Sequence, residues 1–119
     1  MAFLPPPEKL PPLSPPYEIL ETKPCTPVRM KVVKWEIGQM KIKPRWVGAP
    51  PEKVIVAIRI HTTPEWKPYW PYYWDLTPAR LVGQIYEMLR AGIPEDMVLE
   101  IHRDMPGPSA HFAVRWVKP

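Results

Sequence analysis

The chain contains one cysteine, no asparagine, two glutamines, two serines and five glycines among its 119 residues. A single Cys25 excludes an intrachain disulfide. Five glycines, none in a glycine-rich run, exclude a phosphate-cradling loop. Ser14 and Ser109 sit in proline-rich connectors and Cys25 precedes Thr26-Pro27, so neither residue type has the setting of a catalytic nucleophile. The longest aliphatic run, Val54 to Ile58, is far shorter than the ~20 residues that cross a bilayer as a helix. No membrane partner is expected. Met1 to Pro7 has no basic segment followed by an apolar one, so no secretory signal is read. The expected location is cytoplasmic, or within a virion or other particle if the source is a virus. Ordinary usage would supply about four or five asparagines. Their absence, with proline placed in the connections, points to a thermophile, archaeal or viral.

What the chain has in excess is proline. Nine of its twenty prolines fall in the first 27 residues. Proline fixes φ and donates no backbone hydrogen bond, so residues 1–26 read as an extended, polyproline-like arm rather than helix or central strand. Phe3, Leu4, Leu10, Leu13 and Tyr17 give that arm apolar groups with which to hold a protein partner or a second copy.

Residues 27–119 read as one α+β domain. Val28 to Ile37 is rich in β-branched residues, and its apolar parity switches at Val32–Val33, which suggests a bulged strand. Gly38-Gln39 then reads as a turn and Met40 to Val47 as the return strand of a hairpin. Lys53 to Thr62 alternates in the manner of a half-buried strand. Residues 63–75 form an aromatic loop, in which Pro64, Pro68 and Pro71 oppose regular structure. Thr77 to Ala91 reads as a helix with Thr77 at the N-cap, Pro78 at N1, an apolar stripe at Leu81, Ile85, Met88 and Leu89, and a Schellman-type end at Gly92. Met97 to Arg103 and His111 to Val117 close the domain as a hairpin. The expected order is β-β-β-α-β-β: a small, mostly antiparallel sheet with one helix on a face.

Three constellations carry chemistry. The first is the aromatic loop, where Trp66, Tyr69, Trp70, Tyr72, Tyr73 and Trp74 stand in nine residues with Lys67 among them. Such rings stack on unpaired bases or anchor protein interfaces. The second is charge. The chain is +4 overall, yet residues 27–53 alone hold seven basic groups against two acidic ones, or +5. Lys41, Lys43 and Arg45 alternate along one strand beside Trp46, and Arg29 and Lys31 extend the stripe from the strand before it. A row of cations at ~6–7 Å spacing suits a phosphate backbone. It equally suits a charged edge that resists aggregation. The third is His61, His102 and His111 with Glu100 and Asp104, which match no metal-ligand spacing but would converge if their strands were neighbours.

The expected function is therefore a non-catalytic binding protein without a cofactor. Its first reading is an accessory protein for single-stranded nucleic acid or RNA, using Arg29, Lys31, Lys41, Lys43, Arg45, Trp46, Trp66, Lys67 and Trp70. The alternative is an assembly subunit or adaptor holding protein through the arm and through Tyr69, Tyr72, Tyr73 and Trp74. A small metal-dependent enzyme built on the three histidines is a third reading.

Overall fold

The structure is a computed structural model and describes residues 4–43, 47–48, 51–104 and 111–119. It contains six strands and one α-helix: β1 (Val28–Met30), β2 (Lys34–Ile42), β3 (Lys53–His61), β4 (Tyr73–Leu76), α1 (Ala79–Ala91), β5 (Val98–Arg103) and β6 (Phe112–Val117). The fold is α+β, but the strands form two antiparallel sheets rather than one. Their orders are β2-β3-β4 and β1-β5-β6.

The apparent bulge at Val32–Val33 is where the chain leaves one sheet for the other. The parity switch in the sequence was real, and its cause is a change of sheet. Gly38-Gln39 is not a turn. It lies mid-strand in β2, which pairs with β3 from Lys34↔His61 to Ile42↔Lys53. Among the described residues no pairing joins 28–37 to 40–47, so the expected first hairpin is corrected: β1 pairs with β5, and β2 with β3. A Cβ at Gly38 would lie 2.7 Å from the Pro11 carbonyl oxygen and 2.9 Å from Leu13 Cγ. Glycine is there because another stretch of backbone crosses at contact distance.

The aromatic loop also yields a strand. β4 pairs with β3 from Ile58↔Leu76 to His61↔Tyr73. The helix starts one residue later than its cap signals suggest. Pro78 occupies the N-cap, and no side chain caps the end. The first helical bond runs from Val82 N–H to the Pro78 carbonyl. Gly92 ends the helix at φ 122°, ψ 148°, with its N–H on the Leu89 carbonyl. The positive φ demands glycine, but the conformation is extended rather than left-handed helical.

One core cluster draws on both sheets and the helix. It joins Ile58, Ile60 and Leu76 to Met30, Leu99 and Ile101, with Leu81, Val82, Ile85 and Leu89 from α1. A smaller cluster of Leu13, Met40 and Ala57 lies on the other face of β2-β3-β4. That second cluster explains why β3 is buried on both faces from Ala57 to Ile60.

The N-terminal residues cover this second face. Gln39 N–H donates to the Pro11 carbonyl and Leu13 N–H to the Gln39 carbonyl, at the open edge of β2. Asp75 N–H donates to the Glu18 carbonyl and Leu20 N–H to the Asp75 carbonyl, at the open edge of β4. Between these edges the chain crosses three strands. Four inter-strand spacings span about 19 Å, and the seven steps from Pro12 to Ile19 reach about 24 Å, so the crossing is close to taut. Cys25 N–H then donates to the Arg103 carbonyl, leading into β1. Each residue that must donate here is a non-proline, whereas Pro11 and Pro16 serve as acceptors.

Candidate functional site

The aromatic turn follows β3 directly. Thr62 N–H donates to the Tyr72 carbonyl at 2.9 Å and closes its base. Inside, the Thr63 carbonyl accepts from Trp66 N–H at 3.0 Å and Lys67 N–H at 3.1 Å. These bonds point the Lys67 side chain into the turn, where it is fully buried. Its ammonium donates to the Pro71 carbonyl and lies 3.4 Å from the Tyr69 carbonyl and 3.6 Å from Glu18 Oε1. It also sits 4.2 Å from the Tyr69 ring centroid and 4.6 Å from that of Trp74. Those two rings meet edge to face at 6.1 Å. Burial pushes the Lys67 pKa down, and the Glu18 carboxylate works against that shift. Lys67 is thus the turn's internal fastener and is not available to a phosphate.

With the lysine inside, the aromatics divide. Trp66 and Trp74 pack against the main core. Tyr73 lies half-buried with the Arg59 guanidinium 4.0 Å from its ring and its hydroxyl donating to the Pro16 carbonyl. Tyr69, Trp70 and Tyr72 stay outside, with 51%, 69% and 40% of their surface exposed. Glu18, Ile19, Leu20 and Glu21 line a groove against Tyr69 and Trp74. The rim beside the exposed rings therefore carries carboxylates. Tyr17 and Ile19 are exposed as well.

A buried ion pair fixes the segment that crosses β2-β3-β4, residues 11–20, which forms a strap over that sheet. Arg59 Nε and Nη2 donate to the two Asp75 carboxylate oxygens at 2.7 and 3.1 Å, and both residues are buried. Burial opposes the Arg59 charge, but Asp75 more than offsets it, and the guanidinium's pKa is raised. Asp75 Oδ2 also accepts from Glu18 N–H at 2.9 Å, and Arg59 Nη2 reaches the Pro16 carbonyl at 3.4 Å. One carboxylate thus couples β3, β4 and the crossing segment.

The basic stripe does not form as a unit. Arg29 stands in β1, where Glu100 Oε2 accepts from its Nε at 2.7 Å, and Glu100 Oε1 accepts from Arg115 Nε at 2.8 Å. Arg29 and Arg115 hold the Glu100 carboxyl below its ordinary value. Lys31 shares a groove with Trp66, but also with Glu65 and Asp96. Lys41 and Lys43 are exposed in and after the far end of β2, in the other sheet. Arg45, Trp46 and Phe3 lie outside the described residues. β3 separates the two features, with Lys53 paired beside Ile42 at one end and His61 beside Tyr73 at the other. Eight steps along a strand cover about 27 Å.

The arm residues assigned to a partner are largely occupied within the chain. Leu13 is buried, Leu4 and Leu10 are half-buried, and Tyr17 is exposed. The three histidines do not converge. His61 is in β3, 3.4 Å from Glu36 Oε2, whereas His102 is in β5 of the other sheet, opposite Ala113. His111 precedes β6, and its N–H donates to Asp104 Oδ1 at 2.8 Å. Among the described residues no group of three or more His, Cys, Asp or Glu is placed to hold a metal ion. Among the same residues no helix is long and apolar enough to cross a membrane.

Sequence reasoning missed Asp75, Arg59 and Gly38 as the anchors of the strap. An arginine inside the most regular strand and a glycine inside an alternating one were the available signals. Comparison with protein-family models, with curated proteins and with solved structures finds no match.

Proposed function

We propose that this is a non-catalytic binding protein, an adaptor or assembly subunit, whose contact site is the platform of Tyr69, Trp70 and Tyr72 and whose partner is another protein. The observation that carries this reading is the fixed exposure of three large rings on a turn fastened from within by Lys67. A pre-organised aromatic surface binds without the ordering cost of a mobile loop. Rigid Tyr and Trp side chains are the usual anchors of protein interfaces. Glu18 is paired with Lys67, and the neighbouring Glu21 favours a partner with a basic group beside an apolar centre. A phosphate backbone would meet its own sign of charge at Glu21. Lys41 and Lys53 stand at the far end of β3, several Debye lengths of ~8 Å away at physiological salt.

The test compares the protein with Trp70→Ala and Tyr72→Ala in quantitative capture and cross-linking from its source, alongside titration with single-stranded oligonucleotides at low salt. A specific protein partner, weakened about 30-fold or more by Trp70→Ala, is the expected outcome. Salt-sensitive oligonucleotide binding that Trp70→Ala abolishes would instead return the platform to base stacking.

A further inference from the structure

The two sheets treat their edges differently. In β2-β3-β4, residues 11–13 sit on β2 at Gln39, and residues 18–20 sit on β4 at Asp75. An added strand would collide with the strap on either side. In β1-β5-β6, the β1 edge is only three residues long. The β6 edge runs for six residues, Phe112–Val117, with no proline, and among the described residues nothing pairs with it.

The register shows what that edge offers. Asp104 N–H donates to the His111 carbonyl, so residues 111, 113, 115 and 117 turn their backbone groups toward β5. Phe112, Val114 and Trp116 therefore turn N–H and C=O outward, while their side chains lean half-buried on the core. These three residues are symmetric about Val114.

We propose that β6 is a homodimerisation edge, pairing antiparallel with β6 of a second copy across a two-fold axis at Val114. Turned about Val114, this edge is complementary to itself, as an isologous interface requires: apolar residues meet apolar ones and Arg115 meets Ala113. Val114 meets Val114 of the second copy, and Phe112 meets Trp116 in both directions. The pairing forms about six backbone hydrogen bonds and joins two three-stranded sheets into one. On the core-facing side it brings Phe112 and Trp116 together as aromatic cross-strand pairs. On the other side Ala113 falls opposite Arg115, so the two arginines are not directly opposed. Arg115 is moreover already held by Glu100 of its own chain. The joint is independent of the aromatic platform and would present two platforms in one particle.

The experiment is sedimentation equilibrium or light scattering of the full chain up to about 0.5 mM, where a weak edge pairing becomes populated. A dimer fraction that rises with concentration is expected. Val114→Pro removes an outward N–H while leaving the β5 ladder intact, and should give a folded monomer. Ala113 is exposed, so charge there tests the register without touching the core. Ala113→Lys should weaken the dimer about tenfold, and Ala113→Glu should tighten it. A monomer throughout, a dimer that survives Val114→Pro, or Ala113→Lys and Ala113→Glu shifting the equilibrium in the same direction would each overturn the proposal. If Val114→Pro does not fold, the opposite signs at Ala113 decide.

Discussion

Replacing glycine by alanine should have opposite signs at two positions in this chain. In α1, a Cβ at Gly83 meets nothing within 4 Å. Gly83→Ala therefore gains helix propensity and stabilises by about 0.5–1 kcal/mol. At Gly38 the same methyl group would lie 2.7 Å from the Pro11 carbonyl oxygen and 2.9 Å from both Leu13 Cγ and Cδ2. The Pro11 oxygen cannot yield alone, because it accepts from Gln39 N–H at 2.9 Å. The strap must lift. Losing the Leu13 burial costs about 2 kcal/mol, and the two backbone bonds at Gln39 about 1 kcal/mol each. The gain of alanine over glycine in a strand returns roughly 0.5–1 kcal/mol. The net expectation is a loss of about 3 kcal/mol for Gly38→Ala. Urea unfolding measures both variants, and hydrogen exchange at the Leu13 and Gln39 amides shows whether the strap is the part that opens. A neutral Gly38→Ala, or a destabilised one with those two amides as protected as before, would refute the reasoning.

Three further outcomes follow from the same contacts. Asp75→Ala leaves the buried Arg59 guanidinium without its carboxylate and should cost about 3–5 kcal/mol in urea unfolding. Gly92→Ala forces a side chain onto φ 122° and should destabilise by roughly 1–2 kcal/mol, read from the thermal midpoint. Arg29 and Arg115 hold the Glu100 carboxyl below its ordinary 4.5. As pH falls below 4.5 the unfolded chain takes up the proton first, so stability present above that pH is lost until the folded group titrates as well. Unfolding midpoints between pH 6 and about 2.5 should show this dependence weakened in Glu100→Gln.

Much of the fold was legible because burial leaves a period. α1 and β6 carry it, with Leu81 and Ile85 inward on the helix and Phe112, Val114 and Trp116 leaning on the core. By contrast, β3 is buried on both faces from Ala57 to Ile60 and β5 from Val98 to Ile101, so neither is the half-exposed strand that alternation describes. What failed was any inference requiring knowledge of the neighbour. Gly38 looks like a turn when strands are considered alone, and becomes a crossing point only once Pro11 and Leu13 lie over it. The parity switch at Val32–Val33 is the same for a bulge and for a chain changing sheets. Thr77 has the chemistry of an N-cap, yet Pro78 takes that place at ψ 126°. One sheet and two sheets predict nearly the same pattern along each strand, so strand count and sheet count had to come from pairing.

The candidate site shows the same limit in sharper form. Composition marks residues 66–74 as unusual but cannot say which rings face water. That division is decided by Lys67, the residue that composition reads most confidently as surface charge. A lysine is almost never fully buried unless paired. Here carbonyl oxygens, a carboxylate and two ring faces together replace its water. Its burial also takes a cation off the aromatic surface and pairs it with Glu18, which leaves Glu21, among the described residues, as the uncompensated carboxylate of the groove beside Tyr69 and Trp74.

The strap changes what the proline-rich segment is for. Read from composition, residues 1–26 are a reaching arm with apolar groups to place on a partner. In the structure Leu13 and Leu20 are placed inside, each in a core cluster with residues from the sheets. A proline-rich segment suits that task, since restricted φ lowers the entropy lost when it docks. Its one deficiency, missing N–H donors, is met by non-proline residues at each point where an edge must be paired. Both edges of β2-β3-β4 are obstructed as a consequence. Among the described residues the long strand edge without a partner is then that of β6 in the other sheet, and the large exposed rings are Tyr69, Trp70 and Tyr72. By docking along both edges, the segment bears on which surfaces of the chain a partner could reach.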